Sequence, residues 1–137
     1  MAMFRALSGN GGGGTNLPIV ANISSDNKTI GATWGYDANC IIITRRCMGT
    51  GGANPNQIQI FIINRTTGEW YLSYNLFKTS STQDTGNFFR MTTPLGTQSN
   101  VANYSFTARS FSITFTDTLT YDATITPLAD LPLYLFS

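Results

Sequence analysis

Apolar residues recur at every second position through most of this chain, the period of a strand with one face buried. In NQIQIFIIN (56–64), Ile58, Ile60 and Ile62 share one face while Phe61 and Ile63 take the other, so the strand is buried on both sides at its end. In EWYLSYNLF (69–77), Trp70, Leu72, Tyr74 and Leu76 alternate with Tyr71, Ser73, Asn75 and Phe77. Between the two runs stands Asn64-Arg65-Thr66-Thr67-Gly68-Glu69, with Gly68 where a short loop needs a left-handed residue. The pair predicts a β-hairpin.

The stretch SFTARSFSITFTDTLTYDATI (105–125) is nearly all strand in character. Phe111, Ile113 and Phe115 share one phase, and Leu119, Tyr121, Ala123 and Ile125 another, with Asp117-Thr118 turning the chain between them. Phe106 and Ala108 are out of phase with Phe111, which predicts a bulge or bend near Arg109-Ser110. Pro18–Ile23, Thr29–Thr33 and Asn39–Arg46 supply three more strands, the first two joined by a turn at Asp26-Asn27-Lys28. Asn87–Met91 and Leu131–Phe136 complete the set. Gly49–Asn56, Thr79–Gly86 and Thr92–Asn100 read as polar loops.

Nowhere do apolar residues recur at helical spacing for three turns. The expectation is an all-β fold: an antiparallel β-sandwich or jelly roll of about eight or nine short strands at 17–137, with an extended Gly-rich N-terminal arm at 1–16.

Composition narrows what such a fold can do. Charged residues make up 11% of the 137, and the net charge is +1, so nothing draws the chain to nucleic acid or an anionic membrane. Arg45-Arg46 is the one adjacent basic pair, and it reads as a solvated strand edge, with pairing to a neighbouring chain as the alternative. No apolar run approaches the ~18 residues that span a bilayer. The N-terminus lacks the continuous apolar core of a signal peptide, which predicts a chain made and kept in a cytosol, or released from one by lysis rather than secretion.

Cys40 and Cys47 bracket one extended run, CIIITRRC. Seven residues at strand rise separate them by about 23 Å, on opposite faces. A disulfide needs Cα atoms within ~7 Å, so both are expected as free thiols.

The chain has no histidine, which removes Ser-His-Asp and Cys-His catalysis and His-ligated metals. Two cysteines on opposite faces make no zinc site. Glu69, the sole glutamate, falls in a hairpin turn, and no motif singles out a catalytic pair among Asp26, Asp37, Asp84, Asp117, Asp122 and Asp130. The run GNGGGGT lacks the GK[ST] ending and following helix of a phosphate loop. Asn-X-Ser/Thr sequons at Asn22, Asn27, Asn64 and Asn103 are as many as this Asn/Ser/Thr content gives by chance. The reading is of a protein that is not an enzyme and takes no cofactor or metal.

Three places carry binding chemistry instead. The loop GATWGYDANC sets Trp34 and Tyr36 beside Asp37 and Asn39, a ring-and-amide arrangement suited to a sugar; the competing reading is that both rings cap the core. The C-terminus ADLPLYLFS carries Leu133, Leu135 and Phe136 with no charge after Asp130, an aggregation hazard unless covered by its own sheet or a neighbour. The N-terminus carries Met3, Phe4 and Leu7 ahead of Gly11, Gly12, Gly13 and Gly14, a docking peptide on a permissive tether whose order neighbours supply. Low charge and abundant Thr, Asn, Ser and Gly suit a shell or fibre module, in which closed symmetry, often three-fold, hides sheet edges.

The opening FRALSGNGGGG (4–14) followed by a Thr/Asn-rich β-domain resembles the N-termini of small structural proteins of tailed bacteriophages, of the tail-fibre-like kind. The resemblance covers that opening and the general texture of the rest. It implies a non-enzymatic virion component, oligomeric, assembled in the bacterial cytoplasm, with the arm anchored to other virion proteins and the β-domain outward. A trimer and a host surface glycan are the expected partners. A lectin-like domain using Trp34 and Tyr36, and a subunit of a cellular filament or surface layer, are the alternatives.

Overall fold

In the computed structural model, residues 15–47, 57–76, 83–84, 89–91, 94–98, 101–116 and 119–133 are described. They form an all-β sandwich of two antiparallel sheets. The strands are β1 Ile19–Val20, β2 Asn22–Ile23, β3 Thr29–Thr33, β4 Cys40–Cys47, β5 Gln57–Asn64, β6 Trp70–Leu76, β7 Gln83–Asp84, β8 Phe89–Arg90, β9 Val101–Thr107, β10 Ser110–Phe115 and β11 Thr120–Leu128. Sheet A runs β1-β11-β4-β5-β6-β7, with β8 also on β6; sheet B runs β2-β3-β10-β9.

The two inner faces meet in one core. Sheet A contributes Ile41, Ile43, Phe61, Ile63, Trp70 and Ile125, and sheet B contributes Ile30, Ala32, Phe111, Ile113 and Phe115. Phe61 bridges the sheets, edge-on to Trp70 at 5.9 Å and stacked with Phe115 at 6.1 Å between ring centroids. These are β-branched and aromatic residues at alternate positions, so the packing follows directly from the two-residue period.

The β5–β6 hairpin forms as its sequence predicts. Gly68 has φ +76°, its N–H donates to the Asn64 carbonyl, and Asn64 Oδ1 accepts from the Thr66 and Thr67 amides. The Asp26-Asn27-Lys28 turn also forms, with Asn27 at φ +61°. The one strand expected before it, Pro18–Ile23, divides, however: β1 pairs with β11 in sheet A, and β2 pairs with β3 across the turn in sheet B. Both cysteines are buried, and neither is in a disulfide.

Several expectations are corrected. The phase break near Arg109-Ser110 is a two-residue hairpin turn, because Thr107 pairs with Ser110 across Ala108-Arg109. Tyr121 does not share a face with Ala123: the β11–β4 register shifts between Thr120 and Asp122, which buries Thr120 and turns Tyr121 outward. Strands β10 and β11 lie in different sheets; Asp117-Thr118 falls outside the described residues. Gln83–Asp84, expected in a loop, pairs with β6. In the segment expected as a polar loop at Thr92–Asn100, a 3-10 turn at Leu95–Thr97 buries Leu95. Of the strand expected at Asn87–Met91, Phe89–Arg90 is strand. Leu131–Leu133 is not strand, and the remainder of that expected element is outside the described residues.

Arg45 is the largest correction. Strand β4 is central in sheet A, flanked by β5 and β11, so Arg45-Arg46 is no solvated edge. Alternation sends Arg46 outward and Arg45 into the core, where it is fully buried.

Candidate interaction surfaces

The loop 34–39 links β3 of sheet B to β4 of sheet A, and its polar groups are turned into the chain. Trp34 packs against the core with its indole N–H donated to the Ala108 carbonyl at 2.8 Å. The Tyr36 hydroxyl donates to the Pro127 carbonyl at 2.6 Å and accepts from the Asn16 amide at 2.9 Å; burial raises its pKa. Asn39 donates through Nδ2 to the Ala129 carbonyl, and its Oδ1 accepts from Arg65. Asp37 alone faces solvent as a charge, and it pairs with Arg109 at 2.9 Å. The structure therefore brings Trp34, Tyr36, Asp37 and Asn39 to one end of the sandwich, where Trp34, Tyr36 and Asn39 bond the backbone carbonyls of Ala108, Pro127 and Ala129.

The outer face of sheet A has a different character. Three cross-strand rows run over it. By register, one is Thr126, Ile42, Ile62, Tyr71 and Arg90; the next is Val20, Thr124, Thr44, Ile60 and Ser73; the third is Asp122, Arg46, Ile58, Asn75 and Asp84. Ile62 is buried; Ile42, Ile58 and Ile60 are half-buried, and Val20 is 80% exposed. A groove of about 340 Å³ crosses these rows, walled by Val20, Thr44, Ile58 and Thr124, with the Arg46–Asp122 ion pair at 2.9 Å on its rim. The sequence signal for this surface was the unbroken run Ile41-Ile42-Ile43, since a strand apolar at successive positions needs cover on both faces.

The outer face of sheet B is neutral and hydroxylated. Thr33, Ser110 and Thr107 form one row, Asn22, Gly31, Ser112 and Ser105 a second, and Thr29, Thr114 and Asn103 a third. Neighbouring hydroxyls pair across strands, Thr29 with Thr114 at 2.8 Å and Thr107 with Ser110 at 2.7 Å. Gly31 is fixed by close approach: a Cβ there would lie 3.0 Å from the Phe111 carbonyl oxygen.

Of the residues expected to anchor or assemble, Leu133 is 66% exposed. Met3, Phe4, Leu7, Gly11, Gly12, Gly13, Gly14, Leu135 and Phe136 lie outside the described residues. Asn16, placed in the arm by the sequence, is tied to the body through its bonds to Tyr36 and Ala129. Among the described residues no group of three or more His, Cys, Asp or Glu side chains is gathered to hold a metal ion. No protein-family model, curated protein or solved structure matches this chain.

Proposed function

We propose that this protein is a non-enzymatic structural subunit of a bacteriophage virion, a tail-fibre or head-decoration component that self-associates through the outer face of sheet A. The observation that carries the reading is that face. A sandwich buries its two inner faces and leaves the outer ones to water. Here one outer face gathers Ile42, Ile58 and Ile60 on the neighbouring strands β4 and β5, with Val20 in the same row as Ile60 across Thr124 and Thr44, and the Arg46–Asp122 ion pair beside Ile58. Contiguous apolar surface of that kind marks association. The neutral hydroxylated face of sheet B and the low charge of the chain favour dense packing beside other subunits, and the resemblance of residues 4–14 supplies the virion as the setting. In this reading the N-terminal arm anchors the subunit to other virion proteins.

Light scattering on the size-fractionated full-length chain tests the association. A trimer or larger species is expected, and Ile58→Lys should lower its mass while circular dichroism stays that of a β-sandwich. A monomer at high concentration would overturn the reading, and a monomer that binds glycans would replace it with the lectin. Removing residues 1–14 should leave a folded domain that no longer enters phage particles; normal incorporation would remove the anchoring role.

A further inference from the structure

Among the described residues, the sheet edges at β1, β2, β7 and β8 are two residues long. The edge at β9 is seven residues, Val101–Thr107, and VANYSFT contains no charge and no proline. Natural edges are kept from pairing by shortness, by Lys or Pro, or by cover. This strand has neither of the first two. Its pairing with β10 is regular from Asn103 to Thr107 and shifts only between Thr114 and Phe115.

The direction of its free backbone groups follows from β10. The Trp34 amide donates to the Arg109 carbonyl and the Phe115 amide to the Lys28 carbonyl, so odd-numbered residues of this strand bond toward β3. Even-numbered Ser110, Ser112 and Thr114 therefore bond toward Thr107, Ser105 and Asn103. That leaves the N–H and C=O groups of Tyr104 and Phe106 pointing out of the sheet.

The core is also unfinished along this edge. Tyr104 and Phe106 face inward and pack on the core, Phe106 edge-on to Phe111 at 5.5 Å, yet both remain half-buried. A cleft of about 720 Å³ opens beside them, lined by Trp70, Met91, Pro94 and Tyr104.

We infer that β9 pairs antiparallel with β9 of a second copy, about a two-fold axis at Ser105. In that register Tyr104 lies opposite the mate's Phe106, twice, so each strand covers the other's half-buried aromatic ring and the free backbone groups of both bond. On the outer face Ser105 meets Ser105 and Asn103 meets Thr107, a neutral set with no repulsion to overcome. The two four-stranded sheets become one of eight. This interface is separate from the outer face of sheet A.

The axis makes the register testable by charge. Ser105→Lys places like charges opposite each other and should weaken this contact roughly tenfold or more. In the Ile58→Lys background, which removes the sheet A contact, light scattering should give a dimer. Adding Ser105→Lys should give a monomer, as should Ser105→Glu, and mixing the two should restore the dimer. A monomer with Ile58→Lys alone, or a mixture that fails to pair, overturns the inference. If deleting residues 1–14 abolishes the dimer, the edge takes the arm instead, and the inference is equally wrong. Should Ile58→Lys leave the wild-type mass unchanged while Ser105→Lys lowers it, the proposal for sheet A fails and the β9 pairing stands.

Discussion

Arg45 shows how strongly a single position can be held by parity. Its neighbours Ile43 and Cys47 share its inward face, and the guanidinium arrives in the core among two aromatic rings, 3.5 Å from the Phe115 centroid and 5.9 Å from that of Phe61. Nε and Nη2 both donate to Gln59 Oε1, and Nη1 to Thr120 Oγ1. Gln59 belongs to β5 and Thr120 to β11, so one side chain ties three neighbouring strands at this end of sheet A. Removing it leaves a cavity and takes hydrogen bonds from Gln59 and Thr120, and Arg45→Ala should cost about 3–5 kcal/mol. Arg45→Met refills the volume and should cost less, about 1–3 kcal/mol for the hydrogen bonds lost to Gln59 and Thr120. Urea unfolding of the two variants measures both; equal losses would mean that hydrogen bonding, not volume, is what Arg45 supplies. The cysteines behave oppositely. Burial pushes Cys40 up to about 12 and raises Cys47 as well. The unfolded chain ionises near 9 while the folded one holds its protons, so stability is full below that pH and falls as pH rises toward 12. The loss approaches about 1.4 kcal/mol per pH unit from Cys40. Cys40→Ala should flatten the stability profile between pH 9 and 11, and an unchanged slope would show that other groups set it.

At the scale of elements, the β5–β6 hairpin is the part most fully written in the sequence. Gly68 sits at φ +76°, and a Cβ added there would touch nothing within 4 Å. Gly68→Ala therefore isolates the backbone term, about 1–2 kcal/mol for an L-residue in the left-handed region, and Gly68→Asn should recover part of it. Thermal unfolding distinguishes this from a packing defect, for which asparagine would be worse than alanine. Gly68 and Asn27 could be read because each answers a stereochemical demand. The β9–β10 turn makes no such demand: Ala108 and Arg109 have no positive φ, so neither glycine nor asparagine was there to mark it. The shift at Thr120 was hidden for a related reason, since it disturbs the phase of Tyr121 without needing a special residue. Nor does a two-residue period say which sheet a strand joins. Ile19-Val20 and Asn22-Ile23 look like one strand, yet they divide between sheets at Ala21, whose N–H still bonds Ala123. Of the candidate surfaces, the alternation of Ile58, Ile60 and Ile62 was legible, but their alignment with Ile42 and Val20 depends on strand order.

For the whole molecule, the two outer faces differ in kind, and that difference sets how association responds to solution conditions. Sheet A presents Ile42, Ile58 and Ile60 on β4 and β5 with the Arg46–Asp122 ion pair beside them, and sheet B presents hydroxyls and amides with no charge in its rows. The chain carries eight basic and seven acidic residues, so long-range repulsion between copies is weak. Contacts built from charge weaken as salt screens them, over a Debye length that shrinks from about 14 Å at 0.05 M to about 3 Å at 1 M. Contacts built from apolar area and backbone pairing do not, and kosmotropic salts such as sulfate strengthen them. The assembled mass should therefore hold or rise between about 0.05 and 1 M sodium chloride, and rise further in sulfate. Sedimentation velocity across that series is the measurement. If the assembly falls apart at the high end, the joining surface is charged and neither outer face of sheet A nor the β9 edge provides it; if it survives salt but dissociates in Ile58→Lys, the aliphatic rows do.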